Sequence, residues 1–304
     1  MKDEGAGIPM IQRVGIVAKA RLQAAAPHLC EIASWLEARR LEPVFDPDSA
    51  ALAAGVEATR ACRVVEKALL PHHVDMVLVL GGDGTLLATA GCIGHAGVDI
   101  PILGVNFGSL GFLTDVTLPE LYPSLEAAVS GTAQIEERLM LRSAVERGER
   151  TVAERMVLND VVVTQGTLSR IINLSVSVSG EFMMRIRADG LIISSPTGST
   201  AYNLSAGGPI VHPGVDGLII APIAPHTLTN RAVVVPATSE IRIQPILGDG
   251  DDQVFATFDG RHGLQLRGDD VVVIRRAEQP LRLIRPFARN YFDVLREKLK
   301  WGER

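Results

Sequence analysis

Cysteine is scarce: the 304 residues contain three, Cys30, Cys62 and Cys92, odd in number, far apart and without a C-x-x-C pair. That excludes a disulfide framework and gives no zinc-ligand spacing, and it suits a reduced, intracellular protein. Positive charge is not in excess. Lys and Arg number 30 against 35 Asp and Glu, a formal net charge of -5. A chain built mainly to hold nucleic acid or an anionic membrane would carry the opposite sign, so neither is expected as a partner. No apolar run is long enough to cross a bilayer. The first residues, MKDEGAGIPM, have acids where a secretory leader needs a basic start and an apolar stretch, so the expected compartment is the cytoplasm. Two nucleotide signatures are also missing. There is no G-x-x-x-x-G-K-[ST], and no G-x-G-x-x-G follows the first apolar run.

What the chain does have is size, an ordinary globular balance of 47% hydrophobic and 21% charged residues, and 29 glycines gathered beside polar motifs. The length predicts two lobes. In the first part, apolar runs alternate with helical patterns: 14–18, a helix ending near Arg39 that starts close to Pro27, a short strand at Val44 and Phe45, and a helix over 57–70. The runs 74–80 and 101–106 follow. VDMVLVL at 74–80 is apolar almost throughout, as expected of a strand covered on both faces in a parallel sheet. Thr117-Leu118-Pro119-Glu120 is a capping box for a helix that Gly131 ends. Beyond Gly131 the period changes to two. INLSVSVS at 172–179 reads as a half-buried strand with a Ser179-Gly180 turn, and further runs at 156–163, 191–194, 232–236, 254–258 and 271–274 predict a β-rich, sandwich-like lobe. The fold expected is a two-domain α+β chain: an α/β N-terminal lobe (parallel sheet with flanking helices) over 1–131 and a β-rich lobe over 132–285. A terminal helix within 286–304 packs back on the first.

Three segments carry chemistry. Gly81-Gly82-Asp83-Gly84-Thr85 directly follows the buried strand 74–80. Glycines at the carboxyl end of a sheet strand let backbone N–H groups approach a phosphate. Asp83 would repel that phosphate unless it takes a proton, holds a metal or caps the following helix. Asn106 ends the next strand, where it either faces a ligand beside that loop or satisfies its own turn. The second segment runs from Arg187 and Asp189 through SSPTGSTAYNLS to Gly207-Gly208-Pro209, rich in hydroxyls and nearly free of charge. It suits a sugar-phosphate or adenine, with Tyr202 available to stack on a ring. The third is Asn159-Asp160, a polar pair in an apolar run, which fits either a ribose or amide ligand or a bulge or turn. Gly248 to Asp252 reads as a solvated hairpin.

Together these motifs resemble the NAD kinase family, in order and over most of the chain. The first loop alone is shared with diacylglycerol, sphingosine and phosphofructokinase-type kinases, whereas the long Ser/Thr/Gly segment is more specific. The resemblance implies an enzyme, a phosphotransferase with an alcohol acceptor that moves the γ-phosphate of ATP to the 2′-hydroxyl of NAD's adenosine ribose, in NADP biosynthesis. It implies a site in the cleft between the lobes and a homo-oligomer, dimer or tetramer. By that similarity Asp83 is the general base. Asn159 and Asp160 hold the adenosine. Gly84, Arg187, Asp189, Thr200, Ala201, Tyr202, Asn203, Leu204 and Ser205 line the rest of the dinucleotide, with Arg170 at the edge. Gly81, Gly82, Gly84, Thr85 and Asn106 face ATP phosphates. The implied cation is Mg2+, delivered with ATP rather than held by a protein cage. Two positions depart from the family pattern: Asp160 where Glu is frequent, and Arg261 after Asp259-Gly260 where Gln is frequent. Two other readings are a lipid kinase and a non-catalytic NAD(P) sensor.

Overall fold

The computed structural model describes residues 11–54, 62–108, 110–166, 171–227, 229–248, 253–285 and 289–302. It divides into two compact units, Met1–Glu137 with Leu281–Arg304, and Arg138–Pro280.

The first unit is a layered α/β structure. Its elements are β1 (Arg13–Ala18), α1 (Ala26–Glu37), β2 (Glu42–Phe45), α2 (Pro47–Ala53), β3 (Arg63–Val64), β4 (Met76–Leu80), α3 (Asp83–Ala96), β5 (Pro101–Val105), α4 (Leu121–Val129) and β6 (Gln134–Arg138). One seven-stranded sheet has the order β3-β2-β1-β4-β5-β19-β6, where β19 is Leu281–Arg285. From β3 to β19 the pairings are parallel. All five residues of β4 are buried, as are those of β5, because helices cover both sheet faces. The apolar stripe of α1 is Leu29, Ile32, Ala33 and Leu36, with Pro27 in its first turn, where the missing N–H costs nothing. The Thr117–Glu120 capping box is formed, and α4 ends before Gly131 at φ +75°.

Two boundaries differ from the sequence reading. Strands β6 and β19 pair within the first sheet, which sets the division of the chain at 137/138 and 280/281. The terminal helix is α6 (Tyr291–Leu299), capped by the Asn290 side chain, which accepts N–H bonds from Phe292 and Asp293. The helix expected over 57–70 is not formed in its described part. Residues 55–61 lie outside the described residues, and Arg63–Val64 instead pairs with β2 as a parallel edge strand. Sheet pairing outweighs a weak local helical pattern there.

The second unit contains β7 (Leu141–Arg147), β8 (Arg150–Val157), β9 (Asp160–Gln165), β10 (Ile172–Val178), β11 (Glu181–Ala188), β12 (Gly190–Ser194), one turn of helix α5 (Tyr202–Ser205), β13 (Gly217–Ile223), β14 (Val233–Pro236), β15 (Ile241–Pro245), β16 (Val254–Phe258), β17 (Arg261–Leu266) and β18 (Asp270–Arg276). Two six-stranded antiparallel sheets result, β11-β10-β15-β18-β7-β8 and β14-β13-β12-β9-β16-β17. Alternate residues of both sheets, among them Leu174, Val176, Val161, Val163, Leu191 and Ile193, form one shared core. The opposite face of the second sheet carries Val162, Ile192, Ile219 and Ala221, packed under Ala206 and Val211. That second covering explains why β12 is buried at every position rather than at alternate ones. The turn Ser179-Gly180 has positive φ at both residues, as a two-residue hairpin requires. The acidic stretch after Gly248 falls at 249–252, outside the described residues.

Candidate active site

Strands β1, β2 and β3 run to one side of the first sheet while β4 and β5 run to the other, so the strand order reverses between β1 and β4. Such a reversal leaves a crevice at the carboxyl ends of the two strands, the usual ligand position in an α/β sheet. Here β4 delivers Gly81 and Gly82, and β1 delivers Lys19, whose N–H donates to Leu80 O at 2.8 Å. A Cβ on Gly81 would come 2.9 Å from Thr85 Oγ1 and 3.1 Å from the Lys19 Cβ, so this crossing is closely packed. Gly82 caps α3, and Asp83 occupies its first turn, where the helix dipole favours a carboxylate.

The Asp83 carboxylate reaches the turn after β5. Its Oδ1 accepts from Leu113 N (3.2 Å), Thr114 N (3.0 Å) and Thr114 Oγ1 (2.9 Å). Among the described residues, its Oδ2 accepts only from Phe112 N, at 2.9 Å. Gly111 lies directly beneath this carboxylate, and any Cβ there would overlap Asp83 Oδ1 and Thr114 Oγ1. Asn106 is buried and spends its amide within the same turn: Nδ2 donates to Thr114 Oγ1 (3.1 Å) and Oδ1 accepts from Gly108 N (2.6 Å). Asn106 thus satisfies its turn and also lines a cavity. That cavity, about 360 Å³, is lined by Gly81, Gly82, Asp83 and Asn106 together with Lys19 and Lys298. Gly84 and Thr85 continue the first turn of α3, and Thr85 O accepts from Thr89 Oγ1.

In the second unit, Asn159 and Asp160 sit where β8 gives way to β9. The backbone here is held by Asp259, at the tip of the β16–β17 hairpin with φ +48°. Its carboxylate accepts N–H bonds from Leu158 (3.0 Å), Asn159 (2.7 Å) and Asp160 (3.2 Å). The Asn159 carbonyl in turn accepts from Ser195 N (2.9 Å) and Ser194 Oγ (3.3 Å). Gly198 packs so closely on it that a Cβ would overlap the carbonyl oxygen. The SSPTGST segment is thus a clamp on Asn159. With both backbone faces fixed, the Asn159 amide and the Asp160 carboxyl make no side-chain hydrogen bond among the described residues. Asp160 is only 5% exposed. Burial first, and the Asp259 carboxylate second, push its pKa up to about 7. Asp259 is raised as well, by burial, against the lowering effect of its three N–H bonds and of Arg261.

The remaining residues fall along the same unit. Arg187, at the end of β11, is exposed, and Asp189 is half-buried beside β12. Thr200, Ala201, Leu204 and Ser205 surround the single turn of α5, and Tyr202 is exposed there. Asn203 is fully buried. Its Nδ2 donates to Ser199 O and Pro209 O at 3.0 Å each, so it braces the loop from inside. Arg170 lies outside the described residues. Sequence reasoning missed Lys19, Lys298 and the bracing role of Asp259. The strand-order reversal points to the first, and the Asp-Gly hairpin signal to the third.

The sequence model of the ATP-NAD kinase N-terminal domain matches residues 14–133, and that of the C-terminal domain matches residues 158–286. The chain belongs to the ATP-NAD kinase family. An NAD kinase of Geobacter metallireducens is 48% identical over 274 residues, 90% of this chain and 93% of that one. An NAD kinase of Geobacter sulfurreducens is 47% identical over 294 residues, 97% of this chain and 100% of that one. The crystal structure of yeast NADH kinase complexed with NADH superposes with a TM-score of 0.87 at 25% identity, covering 97% of this chain and 89% of the yeast one. The enzyme is accordingly an NAD kinase, a phosphotransferase that moves the γ-phosphate of ATP to the 2′-hydroxyl of NAD's adenosine ribose. Neither the lipid-kinase reading nor the silent-sensor reading finds support in these matches. Among the described residues, no helix is long and apolar enough to cross a membrane.

Proposed function

We propose that Asp83 is the general base of this NAD kinase and that its Oδ2 takes the proton. The observation that carries this is the asymmetry of the carboxylate: among the described residues Oδ1 accepts three bonds, whereas Oδ2 accepts one and keeps lone-pair capacity, on a residue that lines the cavity. A 2′-hydroxyl within hydrogen-bond reach gives its proton to Oδ2 as its oxygen bonds to the γ-phosphorus. The bond from that phosphorus to the β–γ bridging oxygen breaks, and ADP leaves with the electron pair. A positioned base contributes about 10²- to 10⁴-fold, and positioning with charge neutralisation supplies the remainder.

In this reading the first unit binds phosphates through Gly81, Gly82, Gly84, Thr85 and Asn106, and the second binds the dinucleotide. Asn159 and Asp160 hold the adenosine. Their free side chains on a fixed backbone support that role, because little ordering remains to be done on binding. Arg187, Asp189, Thr200, Ala201, Tyr202, Leu204 and Ser205 contact the rest of NAD, with Arg170 at the edge and Asn203 shaping the loop. Among the described residues Asp83 is the sole carboxylate lining that cavity, and it is already bonded to four donors. The residues therefore fit a magnesium ion carried on the ATP phosphates, where it would neutralise charge on the transferring group. A cytoplasmic location and a homodimer or homotetramer complete the proposal. The three free thiols support the first, and the exposed valines of edge strand β14 support the second. Sedimentation of the purified protein tests the assembly.

The deciding assay supplies NAD, ATP and magnesium and reads NADP with an NADP-specific dehydrogenase. Asp83→Asn should lower turnover by about 10² or more while calorimetric NAD affinity stays within about tenfold. Near-normal turnover in that variant would refute the role of Asp83 as base.

A further inference from the structure

The cavity at the strand-order reversal is lined by two lysines from opposite ends of the chain. Lys19 stands at the carboxyl end of β1, and Lys298 on α6. Neither forms an ion pair among the described residues. The ammonium of Lys298 lies 5.7 Å from the centroid of the Phe112 ring, and Phe112 N donates to Asp83 Oδ2. Lys298 thus lines the same cavity as Asp83 and forms no ion pair with it. The start of α6 is anchored in the same unit, where Arg289 donates to Asp115 O at 2.6 Å and pairs with Glu120 at 3.3 Å. Two lysines without an ion pair among the described residues, lining one cavity with a glycine loop, make a site for a polyanion, because each can give charge-assisted bonds to phosphate oxygens.

We infer that Lys298, together with Lys19, clamps the polyphosphate of ATP, so that the last helix of the chain is part of the donor site. The inference rests on the reading of this cavity as the phosphate site. Lys298 is a donor-binding residue with no part in the proton transfer. Its removal should therefore appear in the KM for ATP and leave the KM for NAD unchanged.

The test is steady-state kinetics and ATP calorimetry on Lys298→Met and Lys298→Arg. Lys298→Met should raise the KM for ATP about tenfold, as loss of one charge-assisted bond requires. It should also weaken the salt dependence of that KM, and Lys298→Arg should restore both. An unchanged KM for ATP, or an equal rise for ATP and NAD, would overturn the inference. Should thermal melting show that Lys298→Met does not fold, Lys19→Met, at an exposed position, gives the same readout, and an unchanged KM for ATP there overturns the clamp equally. Asp83→Asn separates the two readings. Normal ATP binding by Lys298→Met beside a dead Asp83→Asn sinks the clamp alone, whereas weak ATP binding by Lys298→Met beside an active Asp83→Asn sinks the base alone.

Discussion

Replacing Asp160 by Asn removes a carboxyl that the fold buries without a side-chain hydrogen bond among the described residues. Its pKa rises from 3.8 to about 7 because burial, and then the neighbouring Asp259 carboxylate, disfavour the charged form. A group whose folded pKa is raised adds stability that is full below its unfolded pKa and is lost as pH rises through its folded pKa. The wild-type protein should therefore lose stability between about pH 4 and pH 7. A displacement from 3.8 to about 7 is worth about 4 kcal/mol. Asn is nearly isosteric and does not ionise, so the variant should lack this slope. At pH 8 Asp160→Asn should be the more stable protein by up to about 4 kcal/mol, which is roughly 10 °C in the unfolding midpoint of a unit this size. At pH 4 the two should agree within about 1 kcal/mol. Thermal unfolding followed by circular dichroism at pH 4, 6 and 8 measures the difference, and pH effects common to both proteins cancel. Parallel curves for the two proteins would refute the argument. The same variant should bind NAD less tightly, which would show stability given up for function.

Two other perturbations follow from the same geometry. Gly111→Ala puts a Cβ where Asp83 Oδ1 and Thr114 Oγ1 now lie, so the carboxylate must move; turnover should fall about 10²-fold in the NADP assay while calorimetric NAD affinity holds. Asp270 is fully buried; burial raises its pKa, but two bonds from Arg147, at 2.7 and 2.8 Å, and one from Arg267 N hold it below the usual range. Its stabilisation is present above its unfolded pKa and is lost as pH falls through its folded one. Asp270→Asn should thus cost about 2 kcal/mol at pH 7 in urea unfolding, with the gap to wild type closing below about pH 4.

Much of this protein was legible in its sequence. The continuous apolar run of β4 announced a strand covered on both faces, and the switch to period two after Gly131 announced the sandwich. Gly81-Gly82-Asp83 at the end of that strand marked a loop with a task. These features are local: a strand, a capped helix or a glycine turn is favoured or disfavoured by residues a few positions away. Tertiary structure decided the remainder. Residues 57–70 show why local pattern is a weak guide, since the sheet edge beside β2 took Arg63–Val64 as a strand. Asp83 finds its donors about thirty positions downstream, and Asn159 owes its fixed backbone to Asp259, a hundred positions away. Lys19 and Lys298 share a cavity only because strand order reverses at β1 and the last helix joins the first unit. The state of Asp160 was beyond the sequence for the same reason. Its charge depends on how much water and which carboxylate surround it, and both are fixed only once distant segments pack together.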